Sequence, residues 1–184
     1  MNFKTLLAVI TMVTAFGAVT HAGEKTVEVG GAAMYPSKDI IENAVNSKDH
    51  TTLVAAVKAA DLVPTLKGAG PFTVFAPTNA AFAKLPAGTV DTLLKPENKA
   101  TLARILTYHV VAGKMDSKAI AEAIKKGKGK ATFATVQGAN LTAAMNGKTL
   151  TLTDEKGTTS NVTIADVYQK NGVIHVVDTV VQPK

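Results

Sequence analysis

The spacing of apolar residues changes once along this 184-residue chain, at about Gly129. Before that point apolar residues recur at helical spacing, as in Ile40, Ile41, Ala44 and Val45. After it they alternate with polar residues, as in strands with one buried face. Helices gathered in one half and strands in the other favour an α+β fold with a mostly antiparallel sheet over alternating βαβ units.

The first 22 residues are typical of an export signal. Lys4 lies in a short polar start, residues 5–19 are nearly all apolar or small, and Thr20 and Ala22 are small residues suited to a signal peptidase. A membrane anchor is the alternative, but the apolar run is shorter than the about 20 residues that a bilayer core requires. We expect cleavage after Ala22, no membrane insertion afterwards, and a secreted or periplasmic protein.

The remaining chain is interpreted as a leader at residues 23–36, which has no sustained period, and a single domain at residues 37–184. Ser37, Thr78 and Ser117 precede helical patterns and are expected to be their N-caps. No internal repeat or long linker divides the domain.

Extended segments are expected on both sides of the change in period. Residues 72–75 predict a strand that ends at Pro77, and residues 108–111 predict a switch from helix to extended chain. Asn146 and Gly147 form a strong two-residue hairpin signal. Further strands are expected at residues 132–137, 140–145, 149–154, 161–164 and 173–177.

The residues that catalyse reactions or bind metals in most proteins are scarce in this chain. The absence of Cys excludes disulfide scaffolds, thiolate metal sites and cysteine nucleophiles. No phosphate-binding loop, serine elbow or zinc-protease motif occurs. His50, His109 and His175 lie far apart in sequence; His109 and His175 are expected to be buried and hydrogen-bonded, and His50 to be exposed. We therefore predict no metal, no cofactor and no enzymatic activity.

One cluster of positive charge is prominent, with four lysines within residues 125–130. It could attract an anionic polysaccharide by Coulomb forces, or it could be only a solvated helix end in a protein of net charge +6. Nucleic acid is disfavoured as a partner, because an exported chain without base-stacking aromatic residues lacks the usual means of binding it. The cluster consists of Lys125, Lys126, Lys128 and Lys130.

Three segments, in the same order as in the family, resemble the signature motifs of fasciclin domains. They are residues 70–82 (GPFTVFAPTNAAF), residues 106–111 (LTYHVV) and residues 171–178 (NGVIHVVD). The motif positions to which we assign a structural role are Phe75, Pro77, Thr78, Asn79, Phe82, Gly172, His175 and Asp178.

The resemblance implies an α+β fold in which an antiparallel β-sandwich wedge is flanked by several short helices, and a role in cell adhesion. It also implies that Tyr108, His109, Val110 and Val111 contact a receptor, although a buried, hydrogen-bonded Tyr-His pair would equally fix the turn between helix and strand. This chain has His50 where the family commonly has an apolar aromatic residue.

Two functional hypotheses follow. The first is a secreted, non-catalytic interaction or adhesion module that binds a cell-surface or matrix protein or an anionic polysaccharide. The alternative is an extracytoplasmic small-ligand binder or hydrolase that uses His109 or His175, and it requires one of these imidazoles to line an open cleft. A surface protein with a purely structural or antigenic role is a third possibility.

Overall fold

The computed structural model describes residues 24–184, so the predicted export signal lies outside the described residues. Short helices occupy most of the first half of this part, as the spacing predicts. They are α1 (Ile40–Ala44), α2 (Thr51–Ala59), α3 (Val63–Lys67), α4 (Asn79–Ala83), α5 (Thr89–Leu93), α6 (Lys99–Tyr108) and α7 (Ser117–Lys126), with 3-10 turns at Lys48–His50 and Pro96–Asn98. Within residues 24–184, no helix has the length and apolar character needed to cross a bilayer.

The strands form a two-stranded hairpin and a seven-stranded sheet. The hairpin is β1 (Val27–Val29) and β2 (Ala32–Met34). The sheet has the order β4-β3-β9-β8-β7-β6-β5. Its strands are β3 (Phe72–Pro77), β4 (Val110–Ala112), β5 (Lys130–Ala134), β6 (Asn140–Asn146), β7 (Thr149–Thr153), β8 (Thr159–Gln169) and β9 (Gly172–Val177).

Every strand pair in the larger sheet is antiparallel except β3 with β9. The expected α+β fold is therefore confirmed, with one central parallel pair that the sequence pattern did not indicate. Gly172 permits this pairing, because a Cβ atom there would lie 2.1 Å from the carbonyl oxygen of Phe72.

The sheet curls until its two edges meet. Val111 on β4 bridges Thr135 just after β5, and the Val136 N–H donates to the Val110 carbonyl at 2.7 Å. Two hydrophobic cores result. One lies between helices α1–α6 and the sheet, and the other lies inside the curled sheet under α7, where Phe75 on β3 shares a cluster with Leu141 on β6. The curled sheet around this second core corresponds to the β-sandwich wedge that the family resemblance implies.

Two of the three expected helix caps are wrong by one or two residues. Asp39, not Ser37, caps α1 in a reciprocal capping box, and Asp116, not Ser117, caps α7 by accepting the Ala119 N–H. A carboxylate competes well for this position because it also interacts favourably with the helix dipole. Thr78 caps α4 as expected, accepting the Ala81 N–H at 3.2 Å.

The structure also differs from the interpretation of residues 23–36 as a leader. The β1–β2 hairpin lies in this segment, and Val29 and Met34 are buried in the helix-side core. Three-residue strands are too short to show a period, so the sequence pattern missed them. The switch from helix to extended chain, expected at residues 108–111, also begins two residues later. Tyr108 still belongs to α6, His109 is the C-cap of that helix, and β4 begins at Val110.

Asn171, in the turn before β9, ties three distant segments together. Its side-chain oxygen accepts the Ile40 N–H at 3.1 Å, at the start of α1. Its amide nitrogen donates to the carbonyls of Leu66 at 2.7 Å and Gly68 at 3.0 Å, at the end of α3. Helix ends leave backbone groups without partners, and one buried amide satisfies three of them here.

We expect Asn171→Ala to lower the free energy of unfolding by about 2 to 4 kcal/mol, because it leaves buried backbone donors and acceptors without partners. Urea unfolding followed by circular dichroism measures the change. The control is Asn46→Ala, which removes one exposed hydrogen bond to the Glu42 carbonyl and should cost about 0.5 kcal/mol or less. Equal losses in the two variants would contradict the anchoring role of Asn171.

Candidate functional site

Tyr108 and His109 lie at the junction of α6 and β4, where the family resemblance implies receptor contact. Tyr108 is fully buried, and its hydroxyl donates to the Asn140 carbonyl at 2.6 Å. Burial is the main cause that raises the pKa of the Tyr108 hydroxyl to about 12. The Tyr108 hydroxyl therefore stays protonated and joins the helix end to β6.

His109 uses both ring nitrogens on backbone groups. Nδ1 lies 2.9 Å from the Ile105 carbonyl, and Nε2 accepts the Val181 N–H at 3.2 Å. The ring is therefore neutral with its proton on Nδ1, because an N–H must face the carbonyl and a lone pair must face the N–H. Burial lowers the pKa of His109 from 6.5 to about 4.

Val110 and Val111 are also buried, since β4 pairs with β3 and bridges the end of β5. The four side chains of the Tyr-His segment thus lie inside the protein. They hold the helix-to-strand junction and offer no side-chain surface to a partner in this structure.

His175 on β9 is used in the same way. Its Nε2 lies 2.8 Å from the Met115 carbonyl, and its Nδ1 accepts the Asp166 N–H at 3.3 Å. The ring stacks on Phe75, with 5.6 Å between the ring centroids, and is fully buried. Burial lowers the pKa of His175, which keeps the ring neutral.

The alternative hypothesis required His109 or His175 to line an open cleft. Both rings are buried with both nitrogens hydrogen-bonded, so neither imidazole is available as a base or ligand for a hydrolase or small-ligand binder. Within residues 24–184, no group of three or more His, Cys, Asp or Glu side chains could hold a metal ion.

The expectation that His50 is exposed is wrong: the side chain is only 2% exposed. His50 ends a 3-10 turn immediately before α2, and its Nδ1 lies 2.9 Å from the Ser47 hydroxyl oxygen. Burial is the main cause that lowers its pKa. The sequence position at a helix start suggested exposure, but the ring turns inward and occupies a core position.

The remaining motif residues support the fold. Asn79 accepts the Thr52 N–H at 3.0 Å and so caps α2 from a distance, although it lies at the start of α4. Phe82 is buried in the helix-side core, and Pro77 ends β3. Asp178 accepts hydrogen bonds from both nitrogens of Asn161 at 2.8 and 2.9 Å, which holds the end of β9 against β8.

The predicted lysine cluster is exposed. Lys125 and Lys126 end α7, Lys128 lies in the loop with a φ of 55°, and Lys130 begins β5. Because Lys130 pairs with Ala144 near the end of β6, the cluster lies at the end of the sheet where β6 turns into β7.

That turn contributes a fifth lysine that the sequence reasoning missed, Lys148, which is also exposed. We call the five residues the basic sheet end: Lys125, Lys126, Lys128, Lys130 and Lys148. The signal available in the sequence was the absence of acids, since residues 123–153 contain these five lysines and no Asp or Glu.

Comparison with known proteins identifies the family to which this α+β fold belongs. The family model for the fasciclin domain matches residues 48–183. The chain belongs to the fasciclin family, which confirms the resemblance of the three motifs.

Relatives extend this assignment. The chain is 47% identical over 176 residues to "Protein sll1483" of Synechocystis, covering 94% of this chain and 88% of the relative. It is 34% identical to "Cell surface glycolipoprotein MPB83" of Mycobacterium bovis, covering 91% and 70%. The structure of a FAS1 domain pair from the insect cell adhesion molecule fasciclin I has the same fold, with a TM-score of 0.70 at 17% identity, covering 80% of this chain and 52% of the other.

The histidine geometry predicts a specific titration behaviour. In the folded protein, NMR should show His109 neutral with its proton on Nδ1, and no protonation near pH 6.5, because its pKa is lowered to about 4. A His109 ring that titrates near 6.5 in the folded protein would contradict the buried geometry.

The same shift predicts how stability depends on pH. The unfolded chain takes up the proton first as pH falls, so the contribution of His109 is complete above about pH 6.5 and declines toward pH 4. By about pH 4.5 this residue alone should reduce the free energy of unfolding by about 2 to 3 kcal/mol. Urea unfolding across this range measures the loss, and His109→Gln should show a shallower pH dependence than the unaltered protein.

Proposed function

We propose that this protein is an extracellular, non-catalytic recognition module that binds an anionic polysaccharide at a cell surface through its basic sheet end. The observation that carries the proposal is the grouping of five exposed lysines at one end of the sheet, in a stretch of chain without acids.

The charge of these lysines is available to a partner. Within residues 24–184, the ion pairs involve Lys67, Lys84 and Lys99, none of which belongs to the basic sheet end. Lys125 and Lys126 lie in the last turn of α7, where the helix dipole favours cations, and the loop and hairpin add further cations beside them. A polymer with repeated negative charges can contact several of these lysines at once.

Three further features support an extracellular, non-catalytic role. The predicted export signal favours secretion, and one relative is named a cell-surface glycolipoprotein. A solved relative with the same fold is a cell adhesion molecule. Neither His109 nor His175 is free to act as a general base in hydrolysis, because their ring nitrogens hydrogen-bond to backbone groups.

The test measures binding to immobilised, sulfated or carboxylated polysaccharides at physiological salt. We expect Lys125, Lys126, Lys128 and Lys130 changed together to Ala to weaken binding by about tenfold or more, and binding by the unaltered protein to fall as salt increases. Lys148→Ala alone should weaken binding by a smaller factor in the same direction.

The control removes the same net charge elsewhere, by changing four other exposed lysines to Ala: Lys25, Lys58, Lys95 and Lys170. This variant should retain most of the binding, because its altered residues lie outside the basic sheet end. Equal losses in both quadruple variants would show that only total charge matters. Binding to a surface protein that survives removal of the four clustered lysines would favour a protein partner and contradict the proposal.

A further inference from the structure

The sequence contains two Asn-Gly pairs, and the structure places them in opposite environments. They are Asn146-Gly147, where β6 turns into β7, and Asn171-Gly172, at the start of β9. In such a pair the backbone nitrogen of the glycine can attack the side-chain carbonyl carbon of the asparagine, because glycine has no Cβ atom to hinder the approach. The surroundings of each pair therefore decide whether it reacts.

The pair at the β6–β7 turn is open to solvent. Asn146 is the last residue of β6 and pairs with Thr149, so Gly147 and Lys148 form the two-residue turn, and all four residues are exposed. Within residues 24–184, no hydrogen bond holds the Asn146 side chain. A Cβ atom on Gly147, whose φ is 62°, would meet no atom within 4 Å. An exposed hairpin end opens locally at little cost in free energy, so the Asn146 side chain can reach the Gly147 nitrogen.

The pair at the start of β9 is held closed. The Asn171 side chain makes three hydrogen bonds to backbone groups at the start of α1 and the end of α3, and the residue is only 6% exposed. Gly172 is buried and pairs with Phe72 of β3. Attack on the Asn171 side chain requires these contacts to break, which happens only when the surrounding core unfolds.

The reaction at Asn146 needs only water as a co-reactant. A bond forms between the Gly147 nitrogen and Cγ of Asn146, the bond from Cγ to Nδ2 breaks, and ammonia leaves with the proton of the Gly147 N–H. Water then adds to one of the two carbonyl carbons of the five-membered imide and breaks its bond to the ring nitrogen. Addition at Cγ gives aspartate, and addition at the main-chain carbonyl gives isoaspartate. Either product carries a carboxylate where the amide was.

The new carboxylate would lie within the basic sheet end. Lys130 is directly opposite Ala144, and Asn146 is two residues farther along β6, on the same face of the sheet. Such diagonal neighbours are about 7 to 8 Å apart, within the Debye length of about 8 Å at physiological ionic strength. Lys148 lies in the turn itself. Five lysines and one carboxylate give a net charge of +4 in place of +5.

We propose that Asn146 is a site of spontaneous deamidation, through which the basic sheet end loses positive charge, and with it affinity for a polyanion, as the protein ages. The loss of affinity rests on the polysaccharide binding proposed above, whereas the deamidation does not. An isoaspartate also adds a methylene group to the main chain beside a two-residue turn, and the length of that turn fixes the register of β6 and β7.

The site is tested by incubating the full folded chain at neutral and mildly alkaline pH, followed by trypsin digestion and mass spectrometry. Trypsin places the two Asn-Gly pairs in separate peptides, residues 131–148 and residues 171–184. In the folded chain we expect Asn146 to deamidate about tenfold or more faster than Asn171. The rate should rise with pH, because the attacking nitrogen must lose its proton. In guanidinium chloride the two sites should react at similar rates, since only the fold distinguishes them.

Variants of fixed charge test the effect on binding to an immobilised sulfated polysaccharide. Asn146→Asp reproduces the charge of the product and should bind about two- to fivefold more weakly than the unaltered protein. The matched control is Asn46→Asp, which adds the same charge at an exposed position after α1 and should retain the binding. Asn146→Gln keeps a neutral amide but would have to close a larger, six-membered ring. It should neither deamidate nor lose affinity during the incubation.

Three results would overturn the proposal: no deamidation of Asn146 in the folded chain, equal rates at Asn146 and Asn171 in the folded chain, or equal binding by Asn146→Asp and the unaltered protein. If the fresh, unaltered protein does not bind the polysaccharide, the proposed function and the loss of affinity are both contradicted. The mass measurements decide the deamidation of Asn146 in either case.

Discussion

Buried polar side chains that hydrogen-bond to the backbone of distant segments are the interaction on which this structure depends. His109 joins α6 to the C-terminal segment through the Val181 N–H, and His175 joins β9 to the Met115 carbonyl. Asn171 joins the turn before β9 to the ends of two helices. Asp154 adds a similar anchor by accepting the N–H groups of Lys156, Thr158 and Gln182. Short helices and loops leave many backbone groups unsatisfied, and these side chains supply the missing partners in a chain that has no cysteine for disulfides.

The buried polar side chains stabilise the fold and do not lie on the surface that a partner would contact. Tyr108 and His109 are committed to the interior, so the lysines at the end of the sheet are the clearest feature that the protein presents to a polyanion. The rule that a buried polar atom requires a partner thus explains the structural role of His109 and His175.

Much of the fold was predictable from local sequence. Helical spacing of Ile40, Ile41 and Ala44 located α1, alternation located β6 and β7, and Thr78 was correctly expected to cap the helix that follows it. The errors arose where several residues compete for one role or where contacts are non-local. Asp39 and Asp116 replaced nearby serines as caps because a carboxylate is also favoured by the helix dipole. The β1–β2 hairpin was missed because strands of three residues carry no measurable period.

Residues close together in the chain are enough to give the α+β class, the family and the cluster of four lysines. Three features depend instead on the folding of the whole chain: the parallel pairing of β3 with β9, the burial of His50 and the position of Lys148 beside the other lysines. These features join segments far apart in sequence. Such contacts depend on how the sheet curls and which surfaces meet, and no local pattern of residues records that.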